Sequence, residues 1–245
     1  VLIFDDSGTL VKKLKILESY LGGIMTKRVI ILGGEGNGGV IASAIVDMNK
    51  KGNSDFELVG YLNDFEKKGG LIHGFPVLGA LKDIHEFANK DNCFIWAVHM
   101  IGQGEKRRKL FYELQIPEDK LVTIVHPSSF VAYNVDLGPG VFIMANSYIG
   151  PGTKIAKGTL VMANCVVGHN DNIGELCHLS AGCNVSSYVT IGKASDIGLG
   201  ASVLEKKKIG DYSVVGANSL LTKDIENRVI YIGTPAKLYK EIEKI

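Results

Sequence analysis

Residues 167–179, VGHNDNIGELCHL, set two histidines and an aspartate into a stretch made mainly of small, apolar and glycine residues. An imidazole takes up or releases a proton near pH 7, so His169 and His178 are candidates for proton transfer. A second candidate lies far upstream. Gly34, Gly36 and Gly39 fit G-x-G-x-x-G behind the apolar run RVIIL, an arrangement that brings backbone N–H groups and a helix N-terminus to a diphosphate. Alone, that motif is a weak signal.

A period of six shows what must position the histidines. Stepping by six from Val131 to Leu221 gives sixteen aliphatic residues without a break, a run that would arise by chance on the order of once in 10⁸ trials. Neither a helix at 3.6 nor an isolated strand at 2 has this period. It matches the hexapeptide repeat of a parallel β-helix, in which three hexads make one coil. The aliphatic rows stack inward. His169 and His178 are then half a coil apart, on different edges, and two subunits are the easiest way for them to share one site. Within each hexad the residue after the aliphatic one is often glycine, as at Gly150, Gly168, Gly192 and Gly198, where glycine is expected to let the backbone turn. Position i+4 is small, and Cys165, Cys177 and Cys183 occupy it. They read as buried thiols, since no C-x-x-C pair is present and disulfides are unexpected in a reducing cytoplasm.

The upstream half has a different pattern. KRVIIL, a glycine-rich turn, a helix, FELVGYL, CFIWAVH, a helix over GQGEKRRKLFYELQ and KLVTIVHP alternate strand and helix, which predicts a small Rossmann-like parallel α/β domain. The expected organisation is an extension over 1–26 outside the fold, the α/β domain over 27–128 and the β-helix with a C-terminal tail over 129–245. A dinucleotide oxidoreductase would need more sheet and a second catalytic domain; here a solenoid follows.

Composition removes other classes. The 245 residues carry a net charge of +1 with 22% charged residues, so no broad basic field points to nucleic acid. No run of eighteen apolar residues predicts a membrane span. The first residues lack the form of a signal peptide, so a cytoplasmic location is expected.

A short α/β domain with ILGGEGNGG, GYLND, GFPVLG and HPSS, then hexapeptide repeats and a closing YIGTPAK, resembles the NeuD/PglD group of bacterial sugar acyltransferases. The resemblance covers about residues 27–240. It implies a left-handed parallel β-helix that forms a homotrimer, an acetyl-CoA site between neighbouring β-helices with no metal, and a nucleotide-sugar site on the α/β domain. The family's catalytic histidine falls on His169, where it would deprotonate the acceptor attacking the thioester. The carboxylate that usually follows is here Asn170, which can orient the ring without stabilising its positive charge. Asp171 is the next residue; it either takes over that partner role or closes a turn. Acetyl-CoA contacts of the family map to His178, Ser187, Leu199 and Ala217. Its sugar-nucleotide contacts map to Gly36, Asn37 and Gly38, to Asn63 and Asp64, and to Gly102. Asn37 replaces a histidine common in the family and Asn63 an aspartate. Arg107 is expected either to meet a phosphate or to lie on a solvated helix face. The implied activity is acetyl-CoA-dependent N-acetylation of a nucleotide-linked amino sugar in glycan biosynthesis, with sugar O-acetylation of the sialic acid type as the alternative. A zinc-dependent carbonic anhydrase on the same solenoid would need three clustered ligands, and no close histidine pair supplies them. A noncatalytic scaffold is the remaining class.

Overall fold

The computed structural model describes residues 26–88 and 91–244. The expectation for the extension therefore lies, Thr26 apart, outside the described residues. The α/β domain is a five-stranded sheet. β1 (Lys27–Leu32), β2 (Phe56–Leu62), β4 (Phe75–Gly79) and β5 (Asn92–Trp96) are parallel, and the short β3 (Leu71–Ile72) is antiparallel on the edge, in the order β3-β4-β2-β1-β5. Among the described residues three α-helices accompany it: α1 (Glu35–Lys50), α2 (Ile84–Ala88) and α3 (Gly104–Glu113). Val29 to Leu32 are fully buried because β1 is covered on both faces. Val29 and Ile31 pack with Ile41 and Ile45 of α1, whereas Ile30 and Leu32 pack with Phe111 of α3 and Leu114 just beyond it. Alternate residues of a strand point to opposite faces. The chain leaves β1 toward β2 on one side and later returns to β5 on the other, which opens a crevice at the carboxyl ends of β1 and β5.

The pattern of KLVTIVHP predicts a further strand of this sheet, and here the structure differs. Leu121 makes only an isolated bridge with Phe94. β6 (Ile124–Val125) instead pairs with β9 (Phe142–Ile143), so the segment begins the solenoid. The fourth parallel strand of the α/β domain is β4, in GFPVLG.

From β6 to Leu221 the chain forms a three-sided parallel β-helix of two-residue strands, paired at a spacing of eighteen: Tyr148 with Val166, Lys154 with Asn172, Leu160 with His178; an antiparallel hairpin, Val229–Gly233 with Ala236–Glu241, closes its end. The second residue of each strand is the aliphatic one of the six-residue period. Those from Ile143 to Leu221 are buried, while Val131 and Leu137, in the first coil, are partly buried against the same core.

The turns assign the glycines a different role from the expected one. The left-handed backbone falls at i+3, where Gly152, Asn170, Tyr188 and Lys206 stack with φ of +74°, +57°, +60° and +59°. The i+1 glycines are needed for space. A Cβ on Gly150 would lie 2.5 Å from the carbonyl oxygen of Gly168, and one on Gly198 2.5 Å from the nitrogen of Ala217. Successive coils approach too closely there for any side chain.

The small i+4 residues form a ladder inside the solenoid. Thr153 Oγ1 donates to the carbonyl of Gly168, 2.9 Å away, and accepts the N–H of Asp171 at 3.2 Å; Ser147 and Ser195 repeat the pattern.

The three outer faces differ. One column reads Asp136, Lys154, Asn172, Thr190, Lys208, all exposed. The second begins Phe130, Tyr148, Val166, which are 57%, 43% and 42% exposed. The third, Phe142, Leu160, His178, Asp196 and Val214, is buried. The α/β domain covers this third face, Phe142 and Leu160 joining the core of α1.

Candidate active site

Two groups of residues matter, one at a corner of the solenoid and one at the crevice of the α/β domain. His169 occupies position i+2 of the corner between β13 (Val166–Val167) and β14 (Asn172–Ile173), and is exposed. Its ring meets Tyr188 edge to face at 5.0 Å, and its backbone N–H donates to Ser187 Oγ at 3.2 Å. Ser187 lies one coil from His169, so the structure brings these two expected residues together. The Asn170 side-chain amide lies 2.8 Å from His169 Nδ1. The left-handed turn directs it there. Amide orientation decides which ring nitrogen is basic: Nδ2 donating to Nδ1 leaves the proton on Nε2, whereas Oδ1 accepting from Nδ1–H leaves the lone pair on Nε2.

Asp171 is not the partner of His169, which corrects the first alternative for it. Its carboxyl points into the solenoid at an i+4 slot, where the residue is 1% exposed. Oδ1 accepts the N–H of Val189 at 2.7 Å, and Oδ2 is buried without a partner. Burial raises its pKa to about 7, against the pull of backbone hydrogen bonds from Val189 and Gly168. The second alternative fails too, since the left-handed residue of this turn is Asn170.

His178 sits on the third face in β15 (His178–Leu179), and its side chain is enclosed between the solenoid and the α/β domain. It stacks on His99, ring centroids 3.8 Å apart and 14° from parallel. Its Nδ1 is 3.1 Å from Ser180 Oγ, and its buried Nε2 has no partner. Burial, then the neighbouring His99, lowers its pKa to about 3, so the ring is neutral at ordinary pH. An acetyl-CoA contact through this side chain has no open path within the chain. Leu199 and Ala217 are exposed i+2 residues stacked on another corner, the one that follows the domain-covered face. Within one chain they lie on a different edge from His169.

The crevice of the α/β domain holds a cavity of about 550 Å³. Its walls are the turns after three strands: Gly33 to Asn37 after β1, Asn63 to Phe65 after β2, and Ala97 to Met100 after β5. Gly36, Asn37, Asn63 and Asp64 therefore line one cavity. Asn63 Oδ1 accepts the N–H groups of Phe65 and Glu66 at 2.8 and 2.7 Å, shaping its loop. Asp64 Oδ1 accepts the N–H of Leu81. Gly38 lies outside the lining; a Cβ there would press on Ile31 and Tyr61 at 3.2 Å, so this glycine lets α1 lie close to the sheet.

Gly102 and Arg107 are also outside the cavity lining. Gly102 N–H donates to Asp196 Oδ2 at 2.9 Å. Arg107, 1% exposed, is neither a free phosphate ligand nor a solvated residue. Its guanidinium bonds the carbonyls of Met100, Leu176 and Ala194 and, at 2.8 Å, Asp196 Oδ1. It joins the two domains. Burial alone would raise the pKa of Asp196, but the hydrogen bond from His99 and the charge of Arg107 outweigh it and the net shift is downward. His99 and Phe65 line the cavity unforeseen. Phe65 is 94% exposed at its rim, and His99 Nε2 is 3.2 Å from Asp196 Oδ1. The signal available for both was position alone, since each follows the carboxyl end of a parallel strand.

Comparison with known proteins agrees with this two-part build. Residues 28–114 match the PglD N-terminal domain, and residues 134–169 match the bacterial transferase hexapeptide, six repeats. A variant of perosamine N-acetyltransferase from Caulobacter crescentus, solved with CoA and GDP-perosamine, is 26% identical; the match covers 87% of this chain and 97% of that one, with a TM-score of 0.72. The acetyltransferase domain of PglB from Neisseria gonorrhoeae (24% identity, 86% and 99% coverage, TM-score 0.76) and WeeI from Acinetobacter baumannii (20%, 86% and 100%, 0.70) share the fold. No curated relative matches. Among the described residues no helix is long and apolar enough to cross a membrane. The chain thus joins a PglD N-terminal domain to bacterial transferase hexapeptide repeats, the build shared with the PglD-like hexapeptide-repeat acetyltransferases that it resembles.

Proposed function

We propose that this protein transfers the acetyl group of acetyl-CoA to the amine of a nucleotide-linked amino sugar, as a homotrimer. The observation that carries the reading is the joining of an exposed, amide-held His169 on a transferase solenoid to a strand-end cavity suited to a nucleotide. The perosamine enzyme, bound to CoA and GDP-perosamine, supports it. With the Asn170 amide turned so that Oδ1 accepts from Nδ1–H, His169 Nε2 carries the lone pair and takes the proton as the amine nitrogen attacks the thioester carbonyl. The C–N bond forms, the C–S bond breaks, and the imidazolium returns the proton to the departing CoA sulfur. An amine is already nucleophilic, so an imidazole supported only by Asn170 suffices. The backbone N–H of Ser187 is the donor assigned to the thioester oxygen. Leu199 and Ala217, on a different corner, serve the coenzyme bound at a neighbouring subunit's His169. The partly exposed column Phe130, Tyr148, Val166 is the face that buries itself between copies.

Steady-state transfer from acetyl-CoA to amino-sugar nucleotides tests the reading. His169→Ala lowers the rate by roughly 10²- to 10⁴-fold with acetyl-CoA binding nearly intact. Robust transfer to a sugar hydroxyl with none to the amine, or an unchanged rate in His169→Ala, refutes it.

A further inference from the structure

His99 stands at the meeting of the cavity, the solenoid and the domain joint. It lines the cavity wall beyond β5, its ring lies flat on His178, and Nε2 is hydrogen-bonded to Asp196. Asp196 also holds Arg107 and the N–H of Gly102. A carboxylate with these partners accepts, so the proton of neutral His99 resides on Nε2 and the lone pair on Nδ1. Nδ1 has no partner among the described residues. The stack against His178 on one side and the bond to Asp196 fix the ring plane. The result is an oriented hydrogen-bond acceptor on a cavity wall.

Strand order says which part of a ligand meets it. In sheets of this kind the turn after the first strand takes the phosphates, and the loop beyond its neighbour holds the ribose. Whatever the diphosphate carries at its far end then extends over the strand on the other side. Here the order β2-β1-β5 places Asn63 to Phe65 on the nucleoside side, Gly34 to Asn37 in the middle, and His99 on the far side.

We propose that His99 is a specificity-determining substrate contact, its Nδ1 accepting a hydrogen bond from a hydroxyl or amino group of the sugar attached to the diphosphate. This rests on the cavity being the nucleotide-sugar site. Asp196, through its bond to Nε2, is the positioning residue.

The test is equilibrium binding of UDP, GDP, dTDP and CDP, and of the corresponding nucleoside diphosphate hexoses, to the full chain. His99→Phe keeps a ring on His178 and removes both nitrogens; His99→Ala is the second variant should the first fail to fold. The expected result is a loss of about tenfold in affinity for the nucleotide-sugar, with the matching nucleoside diphosphate and acetyl-CoA bound within about twofold of wild type. Unchanged affinity for the nucleotide-sugar overturns the proposal, because a purely structural ring would survive as Phe. An equal loss for the bare diphosphate overturns the assignment to the sugar. Failure of the wild-type protein to bind any of these nucleotides removes the nucleotide cavity itself and this proposal with it.

Discussion

Replacing Asp171 by Asn is expected to stabilise the protein, and more so as the pH rises. The folded pKa is raised to about 7 from an ordinary 3.8. Between those values the folded state binds more protons than the unfolded one, so stability falls as pH climbs from 3.8 to 7 and stays low above. At about 1.4 kcal/mol per pKa unit, the full penalty is about 4 kcal/mol at pH 8, an order-of-magnitude upper bound. Asn removes the charge yet keeps a carbonyl for the Val189 N–H. Its NH₂ replaces the unpartnered Oδ2; in the ladder of Thr153 and Ser147, the acceptor for a donor at this slot is the carbonyl fifteen residues on, here that of Ser186. For a chain of this size, about 4 kcal/mol corresponds to roughly 8 to 16 °C in Tm. The assay is the Tm difference between Asp171→Asn and wild type across pH 4 to 8. The difference cancels the opposite trend from His178, whose lowered pKa makes both proteins lose stability as pH falls from 6.5 toward 3. The expected gain is near zero at pH 4 and largest at pH 8. A gain independent of pH, or destabilisation at pH 8, refutes the reasoning.

Asn170→Asp, by giving His169 a carboxylate within reach of Nδ1, should raise the rate of acetyl transfer and shift the acidic limb of its pH–rate profile upward; steady-state kinetics read both. Asp196→Ala leaves Arg107 buried without its carboxylate and should cost about 3 to 5 kcal/mol, measured by denaturant unfolding. Val166→Lys places a charge in the apolar outer column and should convert the proposed trimer to smaller species in light scattering, with loss of activity at the proposed shared site.

The solenoid was legible because one constraint repeats. Every inward aliphatic position from Ile143 to Leu221 recurs at six, and the buried core follows it. The reason for the i+1 glycines was not legible, since crowding between coils eighteen residues apart and freedom of φ both select glycine. The crevice was legible at Gly36, Asn37, Asn63 and Asp64, which follow strands of clear pattern. His99 and Arg107 were not, because the docking of two unlike domains has no period. A partial signal existed. Stepping by eighteen separates a wholly polar outer column, Asp136 to Lys208, from one containing Phe142, Leu160 and Val214; that contrast identifies the covered face and places His178 on it. Asp171 could likewise have been read inward from its i+4 slot, where its neighbours Thr153 and Val189 are buried.

Each corner of the solenoid separates its demands by position. Space between coils dictates the glycines found at i+1, a left-handed backbone dictates i+3, and the interior dictates i+4. At the corner, position i+2 answers to none of them, and the residues there run from Pro151 through Lys157, His169, Glu175 and Ser187 to Leu199 and Ala217. Because every residue assigned here to the acetyl transfer itself, apart from the helper Asn170, stands at such a position, mutation can rewrite reactivity without touching the determinants of folding. The scaffold works as a rack of interchangeable sockets, and new specificities on it are reached by single substitutions that cost the fold almost nothing.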